Sequence, residues 1–265
     1  MTTSTLEQAQ ERSGRRPSVV AYAIYCEVMK LLRIPAFTIP TLLFPIMFFS
    51  FFGLPNLGRE LGGIEAGSYM LASYGAYAVM SVALFSFGVS VAAERGLGWN
   101  KLLRTTPLNP LAYFTAKIVM AIIIGLITVS LLFGFGAIVG ITMPILTWLK
   151  LLGLLMVGMV PFVALGLGLG YIAGPNSAAA IANMIFLPLS FASGLFMPIQ
   201  FLPKIVQDIA PYLPAYHVGQ LGWTALGAQN EHSLGYHLLW VAGYTAAFLA
   251  MAVVAYRRDE GKNYG

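Results

Sequence analysis

Two long stretches without a charged residue limit what this chain can fold into. They cover residues 66–93 and 118–149. Each is longer than the roughly 20 apolar helical residues that cross a hydrocarbon core of about 30 Å. Only 9% of all residues are charged and 58% are hydrophobic, whereas soluble domains carry about 25% charged residues. The composition therefore predicts an all-α membrane protein, because only helices satisfy their backbone hydrogen bonds within one segment in lipid.

Apolar runs separated by polar or turn-forming segments predict six transmembrane helices. The predicted spans cover about residues 36–55, 69–93, 111–141, 146–172, 178–196 and 234–256 of a transmembrane domain at 35–256. Residues 198–229 have apolar positions at helical spacing, but Pro211 and Pro214 interrupt them. This pattern predicts a short re-entrant helical pair between the fifth and sixth spans, on the outer side.

The amino-terminal region predicts a tail followed by an interfacial helix. Residues 1–16 are polar and predict a cytoplasmic tail, and residues 257–265 predict a second one. Residues 17–34 have an apolar side and a polar side that carries Glu27 and Lys30. This amphipathic helix is too short and too charged to cross, so we expect it to lie in the membrane interface. The alternative is an ordinary helix packed on the bundle.

A polar segment at residues 94–110, ERGLGWNKLLRTTPLNP, lies between the two charge-free stretches. Its apolar residues can form an anchor, and its charges can form a rim around that anchor. The predicted anchor residues are Trp99, Leu102 and Leu103, and the predicted rim residues are Glu94, Arg95, Lys101 and Arg104. We therefore interpret the segment as a loop that docks a soluble partner. The alternative is a solvated loop that only fixes orientation.

The distribution of positive charge predicts the orientation in the membrane. With the amino terminus inside, only Arg59, Lys150 and Lys204 of the fifteen Lys and Arg residues lie outside. The positive-inside rule then places both termini and the polar segment in the cytoplasm. The net charge of +5 does not predict a nucleic-acid partner, because the basic residues lie beside apolar runs.

Reactive groups are sparse in the predicted spans. Their central portions contain no Asp, Glu, Lys, Arg or His, which argues against a proton-coupled carrier and an intramembrane protease. The chain also lacks a G-x-x-x-x-G-K-[ST] phosphate loop. His217, His232 and His237 are interpreted as interfacial histidines. A zinc site formed by the last two would lack a spaced third ligand, so no metal site is predicted.

Two segments carry a resemblance to a known family. The ERG opening, LLRTTPLNP and the following AYFTAKI resemble the cytoplasmic loop of type-2 ABC transporter permeases. The segment SGLFMPIQFLPKIVQDIAPYLPAYHVGQLGW, which starts at Ser193, resembles the end of that family's fifth span and its outer helices. The order and spacing of the two segments match the family.

The resemblance implies a half-transporter that pairs as a homodimer above two copies of a cytoplasmic ABC ATPase. It implies no cofactor in this chain, since ATP and Mg²⁺ would bind in the ATPase. The implied ATPase-coupling residues are Glu27, Lys30, Glu94, Arg95, Gly96, Trp99, Leu102, Leu103, Thr106 and Pro107. The implied substrate path, along the second and fifth spans, contains Tyr69, Tyr74, Tyr77, Phe85, Met184, Phe186, Phe191 and Phe196.

The predicted function is the membrane subunit of an ATP-driven exporter in the inner (plasma) membrane. The expected cargo is a hydrophobic or amphipathic compound, because aromatic and Met side chains offer adaptable contacts without fixed charge. Export of a lipid-linked polysaccharide or glycolipid is the alternative within the same family. A stand-alone channel or secondary carrier is the alternative outside it. A membrane enzyme is disfavoured, because no convergent set of reactive groups is present.

Overall fold

The structure, a computed structural model, describes residues 19–99, 110–229 and 231–262. This part of the chain is mostly helical. The helices are α1 (Val19–Leu32), α2 (Pro35–Phe48, continued by a π-helical turn, Phe49–Gly53), α3 (Ala66–Gly96), α4 (Pro110–Ile138), α5 (Ile145–Ile172), α6 (Ala178–Ala192), α7 (Lys204–Ile209), α8 (Pro214–Ala225) and α9 (Leu234–Lys262). Within α3, residues Val82–Val89 are π-helical. The prediction of an all-α membrane protein is confirmed.

Five of the six predicted spans correspond to helices that are long and apolar enough to cross a membrane. In the described residues these segments are Thr38–Asn56, Ala66–Gly96, Leu111–Ile138, Ile145–Ile172 and Leu234–Asp259. The fifth predicted span, 178–196, corresponds to α6, which ends at Ala192 after 15 residues. Because a straight crossing needs about 20 residues, a full crossing by α6 stays a prediction.

A short β-hairpin, with two residues in each strand, precedes α3 where the sequence predicts only a polar loop. Its strands are β1 (Glu60–Leu61) and β2 (Ile64–Glu65), paired antiparallel. Gly62 and Gly63 form the turn with φ values of 62° and 78°, and glycine adopts this left-handed conformation without a steric penalty. The backbone N–H of Gln229 donates to the carbonyl of Gly62 at 3.0 Å, so the hairpin is attached to the segment after α8.

Glu65 is the N-cap residue of α3, which begins at Ala66, three residues before the predicted boundary at residue 69. Its carboxylate accepts hydrogen bonds from the backbone N–H groups of Gly67 at 3.0 Å and Ser68 at 2.6 Å. These bonds satisfy helix N–H groups that would otherwise have no partner. Burial disfavours the ionised carboxylate, but the hydrogen bonds from Ser68, Gly67 and Gly58 hold the pKa of Glu65 below its usual value.

Helix α3 forms the centre of the bundle. Its residues from Ala66 to Leu84 are buried, while α4, α5 and α8 pack around it. Glycine permits the closest contact, since a Cβ on Gly88 would lie 2.8 Å from the carbonyl oxygen of Gly166 in α5. Helix α1 packs along α4, and its placement in the membrane interface stays a prediction.

The segment predicted to form a re-entrant pair contains two short helices, α7 and α8. Pro211 lies in the 3₁₀ turn between them, and Pro214 is the first residue of α8. Helix α8 is largely buried among α3, α5 and α9, with Val218 and Leu221 fully inaccessible. In α7 the side chain of Ile205 is 68% exposed. The short helices are confirmed, and their insertion into the membrane stays a prediction.

Candidate functional site

A buried ionic cluster joins α1, the last turn of α3 and the start of α4. Lys117 Nζ is inaccessible and lies 2.9 Å from Glu94 Oε1, 3.0 Å from Glu27 Oε2 and 3.0 Å from Ser90 Oγ. Lys30 pairs with Glu27 at 2.7 Å and also with Glu94. The two ammonium groups therefore balance the two carboxylates. This set, with Ser90 and the hydroxyl of Tyr113 that donates to Glu94, is called the Glu94 cluster below.

Lys30 is the member of the Glu94 cluster that lies nearest to solvent, with a side chain 36% exposed. Its burial disfavours the charged ammonium, but the carboxylates of Glu94 and Glu27 outweigh this effect. They hold the pKa of Lys30 above its usual value. The cluster is therefore charged at neutral pH on the α1 side, and α1 is attached to the bundle by ion pairs as well as by apolar contacts.

Arg95 makes a second set of contacts on the other side of the same helical turn. Its guanidinium binds both carboxylate oxygens of Asp259 in α9, at 2.6 and 3.2 Å. It also donates to the carbonyls of Gly170 at 2.6 Å and Ala173 at 3.2 Å, at the end of α5. Its guanidinium carbon lies 5.4 Å from the centre of the Tyr171 ring. The ends of α3, α5 and α9 are thus held together by one side chain.

The predicted coupling residues divide into four groups. Glu27, Lys30, Glu94 and Arg95 come together in internal ion pairs, whereas the sequence interpretation gave the last two a rim position on a docking surface. Gly96 packs against the turn before α6, because a Cβ there would lie 2.7 Å from the Pro175 ring. Trp99 is 42% exposed just after the cluster. Leu102, Leu103, Thr106 and Pro107 lie outside the described residues, as do the predicted rim residues Lys101 and Arg104.

Lys117 is a member of the Glu94 cluster that the sequence interpretation did not single out. It lies in the AYFTAKI segment and was counted among the positive charges of the inner side, but no role was predicted for it. Two signals were present in the sequence. Lys117 follows the start of an apolar helix by two turns, and Tyr113 lies four residues before it, on the same helical face.

Most of the predicted path residues meet in an aromatic cluster between α3 and α6. Tyr77 lies 4.8 Å from Phe186 and 5.2 Å from Phe196 between ring centres. Phe85 packs edge-on against Phe186 at 5.6 Å. The hydroxyl of Tyr74 donates to the carbonyl of Phe196 at 3.3 Å. These aromatic side chains form a packed wall between the two helices.

The other three predicted path residues are not part of this aromatic wall. Tyr69 stacks on Trp223 of α8 at 4.6 Å, away from α6. Phe191 stacks on Phe196 at 4.4 Å and is 52% exposed. Met184 is 75% exposed on the outer face of α6. Within one chain, the accessible part of the predicted path is therefore the face of α6 that carries Met184 and Phe191.

Two of the three histidines form a buried pair between α8 and α9. The Nδ1 atoms of His217 and His237 lie 3.0 Å apart, and neither ring is more than 1% exposed. Burial and the neighbouring His237 lower the pKa of His217 to about 4. His232 is exposed and lies two residues before α9 begins. The described residues contain no group of three or more His, Cys, Asp or Glu side chains arranged to hold a metal.

Comparison with known proteins adds to this geometry. The family model described as "ABC-2 family transporter protein" matches residues 65–254. The chain is also similar to a protein of Bacillus subtilis (strain 168) named "Putative transport permease YvfS". The two are 27% identical over 236 residues, which cover 88% of this chain and 95% of the relative. The matched region begins at Glu65, the N-cap residue of α3, and ends within α9.

Proposed function

Because the chain belongs to the ABC-2 transporter family, we propose that it is the membrane subunit of an ATP-driven exporter. It works as a homodimer with two copies of a separate cytoplasmic ABC ATPase, in the inner membrane and with both termini in the cytoplasm. ATP and Mg²⁺ bind in the ATPase, since this chain has no phosphate loop. The cargo is a hydrophobic or amphipathic compound, such as a drug-like molecule or a lipid.

The observation that carries the proposal is the pair of attachments made by Glu94 and Arg95. Glu94 is bound to α1 and α4 through Lys30 and Lys117. Arg95, the next residue, is bound to α5 and α9 through Gly170 and Asp259. The end of α3 therefore contacts four other helices at the point where the polar segment begins. A displacement of this end would be transmitted to both sides of the bundle.

Burial makes these attachments stiff. Removing one partner of a buried ion pair typically costs about 3–5 kcal/mol, because the other charge is left without compensation. The carboxylates of Glu27 and Glu94 are each only 13% exposed, and the Lys117 ammonium is inaccessible. An ATPase that moved the polar segment would therefore move α1 and α3 together, without breaking the Glu94 cluster.

Trp99 provides the contact for the ATPase in this proposal. It lies three residues after Gly96 and is 42% exposed, and its neighbour Leu97 is 86% exposed. An exposed tryptophan is typical of the centre of a protein interface, where aromatic side chains are enriched. Glu94 and Arg95 then act by holding this contact in place, and the direct contacts come from the exposed residues that follow them.

The chemistry of α6 supports an apolar or amphipathic cargo. The helix has no charged residue between Ala178 and Ala192. Its outer face carries Met184, Leu187 and Phe191, at exposures of 75%, 42% and 52%. Such side chains bind apolar compounds by area and shape, without fixed charge. If two copies meet along this face, the aromatic wall formed with Tyr77 lies directly behind the path.

The proposal is tested by co-purification from the native host. The tagged chain is extracted in a mild detergent, and the proteins that accompany it are identified and quantified. We expect a stoichiometric ABC ATPase. Trp99→Asp is expected to reduce its recovery by on the order of tenfold or more, since an anchor residue contributes about 2 kcal/mol or more to binding.

A matched control is available between α6 and α7. Phe201 is 68% exposed there, and Phe201→Asp introduces the same charge without touching the proposed contact. Equal loss of the ATPase in both variants would mean that Trp99 is not the docking contact. A wild-type chain that purifies alone from several detergents would overturn the proposal in favour of a stand-alone channel or carrier.

A further inference from the structure

A cavity of about 580 Å³ lies between the last turn of α5 and the carboxyl-terminal part of α9. This volume is within the range of about 300–1,000 Å³ that is usual for sites of small molecules. One side of the cavity is polar and carries Arg95, Arg258 and Asp259. The other side is apolar and carries Ile172, Met251 and Val254.

Among the described residues that line the cavity, one positive charge has no counter-charge. Arg95 is bound by Asp259, at 2.6 Å, and by the two carbonyls at the end of α5. Arg258 is exposed, and the side chains described in the structure provide it with neither an ion pair nor a hydrogen bond. The polar side therefore has a surplus of one positive charge, which favours an anionic occupant that arginine can bind through two parallel hydrogen bonds.

The apolar side excludes a simple inorganic anion as the full occupant. Ile172 is 60% exposed and Val254 is 50% exposed, so both face outward beside the cavity. They belong to helices that are candidate membrane spans, and Arg258 lies at the end of the segment Leu234–Asp259. This is the depth at which arginine side chains reach the polar boundary of a bilayer. An occupant that fits both sides carries an anionic group joined to hydrocarbon.

We propose that this cavity binds one anionic glycerophospholipid, with its phosphate on the guanidinium of Arg258 and an acyl chain along Ile172, Met251 and Val254. The occupant is a bilayer lipid, because bilayers supply both parts in the required order and clusters of basic residues beside membrane helices bind anionic headgroups. The inference does not rest on the proposed export function. It requires only that the chain is a membrane protein.

The position of the cavity gives the lipid a structural effect. Arg95 forms part of its polar side and also joins α3 to α5 and α9. A ligand that binds only the folded protein stabilises it by mass action. The bound lipid is therefore expected to stabilise the junction of these three helices, next to the start of the polar segment.

The test uses the full chain, purified and stripped of lipid in detergent. Phosphatidylglycerol is added in mixed micelles, and bound lipid is counted by native mass spectrometry while the melting temperature is recorded. We expect one tightly bound phosphatidylglycerol and a raised melting temperature. Arg258→Ala is expected to weaken binding by on the order of tenfold, which corresponds to about 1.4 kcal/mol. Arg258→Lys, which keeps the charge, should weaken it less.

Arg257 provides the matched control, because it is the exposed neighbour of Arg258 and does not line the cavity. Arg257→Ala is expected to bind phosphatidylglycerol like the wild type. A second variant, Val254→Trp, fills the apolar side and should also reduce binding. The proposal is overturned if Arg258→Ala and Arg257→Ala behave alike. It is also overturned if phosphatidylcholine binds equally well, or if inorganic phosphate at millimolar concentration displaces the lipid.

Discussion

At the scale of single residues, Lys117 determines the electrostatics of the Glu94 cluster. Its ammonium contacts both carboxylates of the cluster and Ser90, each at 2.9–3.0 Å, and no part of the side chain reaches the surface. Lys30 contacts the same two carboxylates but is partly exposed. Removal of Lys117 is therefore expected to cost more stability than removal of Lys30, because water can reach the carboxylates only from the side of the partly exposed Lys30.

Lys117→Met is expected to destabilise the protein by about 3–5 kcal/mol, since it leaves two carboxylates with one partly exposed partner. The measurement is the free energy of unfolding in detergent, by denaturant titration. Lys150→Met is the control, because Lys150 is an exposed lysine near the start of α5 and surface substitutions usually change stability by less than about 0.5 kcal/mol. If both variants were equally stable, the cluster would not hold α1 on the bundle.

At the scale of secondary-structure elements, periodicity and charge predicted most of the helices. Charge-free runs located α3, α4, α5 and α9, because length and hydropathy alone decide whether a helix can cross a membrane. Turn residues located the break between α7 and α8. The hairpin at Gly62 and Gly63 was missed, since two residues in each strand are too few for an alternating pattern.

The contacts of the site were harder to predict than its helices. The sequence indicated that Glu94 and Arg95 matter, but it did not indicate where their side chains point. Their partners, Lys30, Lys117 and Asp259, lie 23 to 164 residues away along the chain. Such distant pairs depend on how helices pack, and periodicity within one helix does not contain that information. The same limit applies to the buried pair of histidines.

Glycine at the contact between α3 and α5 gives a prediction at this scale. A Cβ on Gly166 would lie 2.9 Å from the carbonyl oxygen of Ala83, and backbone atoms cannot move aside as a side chain can. Gly166→Ala is therefore expected to destabilise the protein by about 1–3 kcal/mol, the usual effect of overpacking. The melting temperature in detergent provides the measurement.

Gly153 is the matched control in the same helix. A Cβ there meets nothing within 4 Å, and alanine is a better helix former than glycine by about 1 kcal/mol. Gly153→Ala should therefore melt at the same temperature as the wild type or above it. If Gly166→Ala had the same melting temperature as Gly153→Ala, α3 and α5 would be farther apart than described.

At the scale of the whole molecule, the arrangement of α6 determines whether two chains can build a path. Met184, Leu187 and Phe191 lie three and four residues apart, so they share one face of the helix. That face is exposed in a single chain. Exposure alone fits lipid as well as a second copy, because lipid also covers apolar side chains. A test must therefore distinguish a protein neighbour from a lipid neighbour.

Cysteine cross-linking in native membranes makes this distinction, and the chain suits it because Cys26 is its only cysteine. In a Cys26→Ser background, Met184→Cys is expected to form a disulfide-linked dimer on mild oxidation. Facing residues of a two-fold interface repeat the same contact, so one substitution places two thiols near each other. A disulfide requires Cα atoms within about 7 Å, which random collision in lipid seldom maintains.

Leu187→Cys and Phe191→Cys examine neighbouring positions of the same face, so the result does not depend on the geometry of one pair. Leu239→Cys is the control, because Leu239 is 72% exposed on α9 and lies outside the proposed interface. We expect cross-linked dimers from at least one α6 position and none from Leu239. Dimers formed through Leu239 alone would assign the interface to α9. The aromatic wall behind α6 would then be a packing feature of one chain, and the path between two copies would have to lie elsewhere.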